Sequence, residues 1–169
     1  MNVKRVVAAA VAASALGLGA YFGLPILLAP ERAPTIAYTL LRAQAPITSQ
    51  WQGKVTLVNF WATSCVTCVK EMPEIVATHN KYKTQGFDTL AVAMSYDPPA
   101  YVARFAESRQ LPFGVAIDNT GEIARQFGDV QLTPTTFIVN KRGEIVKQFV
   151  GEPDFTALHL LIEKLLAEG

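Results

Sequence analysis

Cys65-Val66-Thr67-Cys68 contains the only two cysteines of the chain and comes just after Val55-Thr56-Leu57-Val58-Asn59-Phe60-Trp61. An apolar, β-branched and aromatic run of this kind reads as a buried strand. A Cys-x-x-Cys just beyond it, opening a helix, places two thiols close enough to be bridged. The first of them meets the unsatisfied N–H groups and dipole of the helix start, which favour a thiolate. A pair so placed can exchange electrons as a disulfide, which points to thiol–disulfide oxidoreductase chemistry.

The chain has 169 residues, enough for one ordinary domain and an additional segment. That segment is N-terminal: Lys4 and Arg5 precede Val6 to Ala29, which carry no charge. About 20 apolar residues suffice to span a bilayer as a helix, and basic residues mark the cytoplasmic side. Residues 1–30 are therefore expected to be a signal anchor, a single transmembrane helix, with residues 31–169 forming a domain outside the cytoplasm. A cleaved signal peptide fits less well, because Leu27-Leu28-Ala29 puts Leu where a small residue is wanted. No cysteine follows the apolar stretch until Cys65, which argues against a lipoprotein. The net charge of +1 becomes about −1 for residues 31–169, with thirteen basic against fourteen acidic residues. Without a run of Lys or Arg the signature of nucleic-acid binding is missing. An exported domain meets an oxidising compartment, in which a cysteine pair can cycle but does not stay reduced unaided.

The rest of the chain alternates strand and helix signals. Thr35 to Leu41 reads as an edge strand, and Ile47-Thr48 precedes a turn at Gln52-Gly53-Lys54. A helix from Cys65 to about Lys83 contains Pro73, which is expected to kink it. Asp88 to Ser95 reads as a second buried strand, Pro98 to Arg109 as a helix, Val115 to Asp118 as a short strand, and Thr120 to Phe127 as another helix. Thr135–Val139 and Ile145–Phe149 form a hairpin around a Gly-containing turn, and Asp154 caps a last helix. Strands alternating with helices and ending in a hairpin plus helix indicate an α/β sandwich around a mixed central sheet.

Gly53-Lys54, then Val58-Asn59-Phe60-Trp61-Ala62-Thr63-Ser64-Cys65-Val66-Thr67-Cys68, then Glu71-Met72-Pro73, together with Leu132-Thr133-Pro134-Thr135-Thr136-Phe137, resemble the TlpA/ResA-type (DsbE/CcmG-like) thioredoxin-like proteins. The likeness runs from about residue 35 to the C-terminus. It implies a thioredoxin fold: a central mixed β-sheet flanked by helices, with an N-terminal strand extension and a helical insertion at Pro98 to Arg109. It also implies a membrane-anchored bacterial thiol–disulfide oxidoreductase whose catalytic domain faces the periplasm or cell exterior, with no cofactor. The family usually has Trp before the first cysteine and Pro before the second; this chain has Ser64 and Thr67, positions that tune the thiolate and the disulfide.

Cys65 is the expected nucleophile and Cys68 the deeper, resolving thiol of a redox-active disulfide. A structural disulfide or half of a zinc site is the competing reading. Zinc needs two further ligands, and only His79 and His159 remain; His79 lies roughly 16 Å further along the same helix at 1.5 Å per residue. Glu71 follows Cys68 by one helical turn, on the same side of the helix. The resemblance implies proton handling for it, against the plainer reading of a solvated glutamate. Thr133-Pro134 resembles the cis-proline loop that faces the dithiol in thioredoxin folds; an ordinary proline at a strand start is the alternative. Trp61 is expected as a partly exposed wall beside Cys65, with Phe60 in the core. Ser64, Val66 and Thr67 face substrate by position, and His159 reads as structural.

The leading expectation is a tethered reductase of exported protein disulfides. The resemblance suggests apocytochrome c or copper-site cysteines as clients and a DsbD/CcdA-type membrane electron donor. A disulfide-forming oxidase on the same fold, and a chaperone holding Cu(I) on the two thiolates, are the alternatives. A peroxiredoxin is excluded, because Val58 and Ala62 stand where that family needs Pro and Thr.

Overall fold

The computed structural model describes residues 30–43 and 45–168. The expected anchor over residues 1–30 lies outside them apart from Pro30, and no helix among the described residues is long and apolar enough to cross a membrane. From Glu31 onward the chain forms one compact unit.

Its elements are β1 (Ala37–Tyr38), β2 (Ile47–Thr48), β3 (Val55–Trp61), α1 (Val66–Tyr82), β4 (Phe87–Ala93), α2 (Pro99–Ser108), β5 (Gly114–Ile117), α3 (Glu122–Gln126), β6 (Thr135–Val139), β7 (Ile145–Val150) and α4 (Phe155–Ala167). Five strands form one sheet in the order β5-β4-β3-β6-β7. β3, β4 and β5 run parallel, whereas β6 is antiparallel to β3 and β7 antiparallel to β6. The mixed sheet with helices against it is the thioredoxin-like α/β arrangement.

All seven residues of β3 are buried, as befits the middle of a sheet covered on both faces. Alternation divides them. Val55, Leu57 and Trp61 join Met72, Ile75 and Tyr82 of α1, Val102 of α2, and Leu158, Ile162 and Leu165 of α4 in one core. Val58 and Phe60 join Val92, Phe137 and Val139 with Ile123 and Phe127 of the α3 region, and Ile36 and Trp51, in the other.

Several expected elements differ in extent. The strand expected over Thr35 to Leu41 is confined to Ala37–Tyr38, paired with Ile47–Thr48 in a small separate sheet. α1 continues through Pro73 as one helix. Pro73 is exposed, so the Val69 carbonyl that loses its helical partner can be hydrated there. α3 is shorter than expected, because Gly121 precedes it in the left-handed region at φ 72°. Asp118 compensates by accepting from the backbone N–H groups of Ile123 and Ala124 at 3.1 and 2.8 Å. Asp154 caps α4 as expected, accepting from Thr156 and Ala157.

The two sides of α4 differ enough to be tested. Leu158→Ala, at a fully buried position, is expected to lower the unfolding free energy by about 2–5 kcal/mol. Leu160→Ala, at a position 65% exposed, should change it by less than about 0.5 kcal/mol. Urea titration of the two variants checks the difference.

Candidate functional site

β3 and β4 are parallel and end together, with Trp61 opposite Ala93 and Met94 N–H donating to the Trp61 carbonyl at 3.0 Å. The loops that follow them, residues 62–65 and 94–98, are therefore neighbours at one end of the sheet. This is where open parallel sheets place their functional groups. The antiparallel register of β6, with Thr135 opposite Phe60, carries Thr133-Pro134 to the same end.

Cys65 is the N-cap of α1, and its Sγ accepts from the Cys68 backbone N–H at 3.1 Å. No acidic side chain stands in the first turn of the helix. Cys65 and Cys68 are joined as a disulfide, their Cα atoms 5.2 Å apart. Cys65 is half-buried and Cys68 has no exposed surface, so an incoming group can reach only the first sulfur. Ser64, Val66 and Thr67 are exposed around it.

The loop before Cys65 is clasped by Asp97, a buried carboxylate from the loop after β4. Its two oxygens accept from the backbone N–H and the hydroxyl of Thr63, each at 2.6 Å. The Thr133-Pro134 peptide bond is cis, with Pro134 buried and Thr133 half-buried. Tyr96, exposed beside it, brings its hydroxyl to 3.3 Å from Thr133 Oγ1, and either group can donate.

Trp61 corrects the sequence expectation. It is fully buried and not a partly exposed wall, and its ring packs on Phe105 of α2 at 5.1 Å. The helix inserted between β4 and β5 covers it, which removes it from any substrate surface. His79 instead approaches Thr89 Oγ1 at 3.1 Å, and His159 approaches Thr78 Oγ1 at 2.9 Å. Among the described residues no group of three His, Cys, Asp or Glu side chains is placed to hold a metal ion.

Glu71 is not a solvated glutamate. It has no exposed surface, and its Oε1 accepts from Asn59 Nδ2 at 3.1 Å. Burial raises its pKa from the ordinary carboxylate range to about 7; the Asn59 hydrogen bond opposes the rise and the charge of Glu152 adds to it. Asn59, Tyr96, Asp97 and Thr136 are the residues that sequence reasoning passed over. The available signal was a polar Asn59 within an apolar strand, and an aspartate just beyond the end of the neighbouring strand.

The Redoxin family profile matches residues 29–159. The thiol–disulfide oxidoreductase ResA of Bacillus thuringiensis subsp. konkukian is 33% identical over 135 residues, covering 80% of this chain and 77% of that protein. ResA of Geobacillus kaustophilus is 36% identical over 118 residues, covering 70% of this chain and 66% of the relative. A thioredoxin-type protein of Neisseria meningitidis, solved in solution, superposes with a TM-score of 0.74 at 40% identity over 80% of this chain and 90% of its own.

A buried acid with a raised pKa has a definite effect on stability. The folded state holds its proton more tightly than the unfolded state, so this contribution is fully present below the ordinary carboxylate range. It is lost as pH rises toward about 7. The oxidised protein is therefore expected to lose stability between about pH 4.5 and 7, and Glu71→Gln to remove up to about 3 kcal/mol of that loss. Urea unfolding across this range is the check.

Proposed function

This chain belongs to the Redoxin family of thioredoxin-like thiol–disulfide oxidoreductases, and from that premise we propose that it is a tethered reductase of disulfides in exported proteins. The observation that carries the reading is the graded burial of three groups on one helix: Cys65 reachable, Cys68 enclosed, Glu71 enclosed one turn further on.

In the reducing direction the Cys65 thiolate attacks one sulfur of a client disulfide. The S–S bond of the client breaks, one client thiolate leaves, and a Cys65–client disulfide forms. Cys68 gives its proton to the Glu71 carboxylate and attacks Cys65 Sγ. That bond breaks, the second client thiolate leaves, and Cys65–Cys68 closes. Two electrons have passed to the client, whose thiolates take up protons, and a dithiol donor must then reduce the pair again. Glu71 suits the proton step because an acid with a pKa of about 7 can take and release a proton near neutral pH.

The client is held as an added strand against the Thr133 backbone, beside the cis Pro134. Ser64, Val66 and Thr67 line the approach to Cys65. The exposed apolar side chains of Val66, Leu132 and Tyr96 suit a client whose cysteine is flanked by apolar residues. The uncharged stretch Val6–Ala29 after Lys4 and Arg5 supports anchoring in the cytoplasmic membrane with the domain outside. Anchoring raises the local concentration of a DsbD/CcdA-type membrane donor. Apocytochrome c and copper-site cysteines are the clients to test first.

Cys65→Ser is expected to abolish insulin reduction, and Cys68→Ser to accumulate the client disulfide on Cys65, visible as a mass adduct lost on adding dithiothreitol. A reduction potential for Cys65–Cys68 near or below about −250 mV fits the reductase, and one near about −120 mV identifies an oxidase. Retained insulin reduction in Cys65→Ser would overturn the role given to that residue.

A further inference from the structure

Asn59 is a polar side chain in the apolar row that β3 turns toward α1, between Leu57 and Trp61. It has no exposed surface. Register sets it opposite Thr136 of β6, and its Nδ2 donates both to Thr136 Oγ1 at 2.9 Å and to Glu71 Oε1 at 3.1 Å. The amide group has two N–H bonds, and both are used. One side chain thus ties two neighbouring strands to the helix that carries both cysteines.

The two oxygens of Glu71 are left unequal. Oε1 faces an N–H donor, so it is an acceptor whatever the protonation state of the acid. Oε2 is buried and makes no hydrogen bond to the described residues. We propose that Asn59 is a positioning residue for the redox reaction: by holding Oε1 as acceptor it makes Oε2 the oxygen that takes the Cys68 proton. This rests on the proton role proposed for Glu71.

The step is a proton transfer coupled to the thiol attack. Cys68 S–H passes its proton to Oε2, and its electron pair forms the bond to Cys65 Sγ as the client or reagent sulfur leaves. Thr136 acts at one remove, since its hydroxyl oxygen fixes the amide plane that meets Oε1. The charged group that acts on Glu71 is Glu152 after β7, itself paired with Lys70 at 3.1 Å. From β3 and β6 the groups bonded to it directly or through one side chain, Asn59 and Thr136, are neutral. Asn59 is therefore the hydrogen-bond donor that stabilises the ionised form of Glu71, and its loss makes that acid harder to ionise.

The test is single-turnover reaction of the reduced full-length protein with 5,5′-dithiobis(2-nitrobenzoate). A first thionitrobenzoate leaves on attack by Cys65 and a second on attack by Cys68. The second phase, followed from pH 5 to 9, is expected to rise with a midpoint near 7. Asn59→Leu should move that midpoint up by about 1 pH unit, which slows the phase about tenfold at pH 6 and little at pH 9. The isosteric Asn59→Asp, which sets a second carboxyl against Glu71, should move it the same way, and Thr136→Val should move it less. In a Glu71→Gln background, Asn59→Leu should have no further effect. An unmoved midpoint in both Asn59 variants, with Glu71→Gln still removing the ionisation near pH 7, overturns the positioning role alone. So does a slowing by Asn59→Leu that is uniform with pH and persists beside Glu71→Gln. If Glu71→Gln leaves the profile unchanged, the proton role of Glu71 fails and the inference falls with it.

Discussion

β3 is bonded on both sides, parallel to β4 and antiparallel to β6, and every one of its residues is buried. Those pairings decide where the chemistry can be. The parallel partner ends level with β3, so two loops emerge together and Asp97 of one can clasp Thr63 of the other. The antiparallel partner begins at that same end, which brings the Thr133-Pro134 peptide up to the loop carrying Cys65. A slip of one residue in either pairing would turn Asn59 into the opposite core and break the bridge to Glu71. The site is built by register before it is built by side chains.

The second organising fact is burial along α1. Its first turn projects from the sheet end, whereas its later turns lie against β3 and β4. One helix therefore takes Cys65 from a half-exposed position to an enclosed Cys68 and an enclosed Glu71 within two turns. This gradient makes the two sulfurs unequal in access, which is the basis of the different tasks proposed for them. It also places a carboxyl where water cannot stabilise its charge, which carries the acid to a pKa of about 7. Enclosure that destabilises the folded chain at neutral pH is also what suits the acid to the proton step proposed for it.

Much of this was legible in the sequence, for physical reasons that can be traced to particular residues. The Val55–Trp61 run, the cysteine pair after it, the hairpin of Thr135–Val139 with Ile145–Val150, and the Asp154 cap all rest on local chemistry, and local chemistry is what a sequence displays. The expected edge strand shrank to Ala37–Tyr38 because strand formation depends on a partner, and its partner is only Ile47–Thr48. Trp61 was expected to be partly exposed as a wall beside Cys65; the cover comes from Phe105, forty-four residues away. Asp97 and Thr136 were passed over for the same reason. Each acts on a residue distant in sequence, and nothing in its own neighbourhood announces the contact.

Asn59 falls between these two cases, and it bears on how such a site is specified. An amide within Val-Thr-Leu-Val-Asn-Phe-Trp is conspicuous, since a strand buried on both faces gains nothing from a polar side chain unless that side chain is bonded. Its partners identify its use: Thr136 across the sheet and Glu71 on the helix. A buried acid facing only apolar neighbours would ionise less readily still, because the Asn59 bond is the interaction that opposes the effect of burial. A solvated acid would ionise far below neutral pH and could not return a proton there. The intermediate setting needs both enclosure and one donor, and that donor has to come from the strand that α1 packs against. If Glu71 takes the Cys68 proton as proposed, a polar residue in the middle of a wholly buried strand is part of what makes the cysteines at its end a working pair.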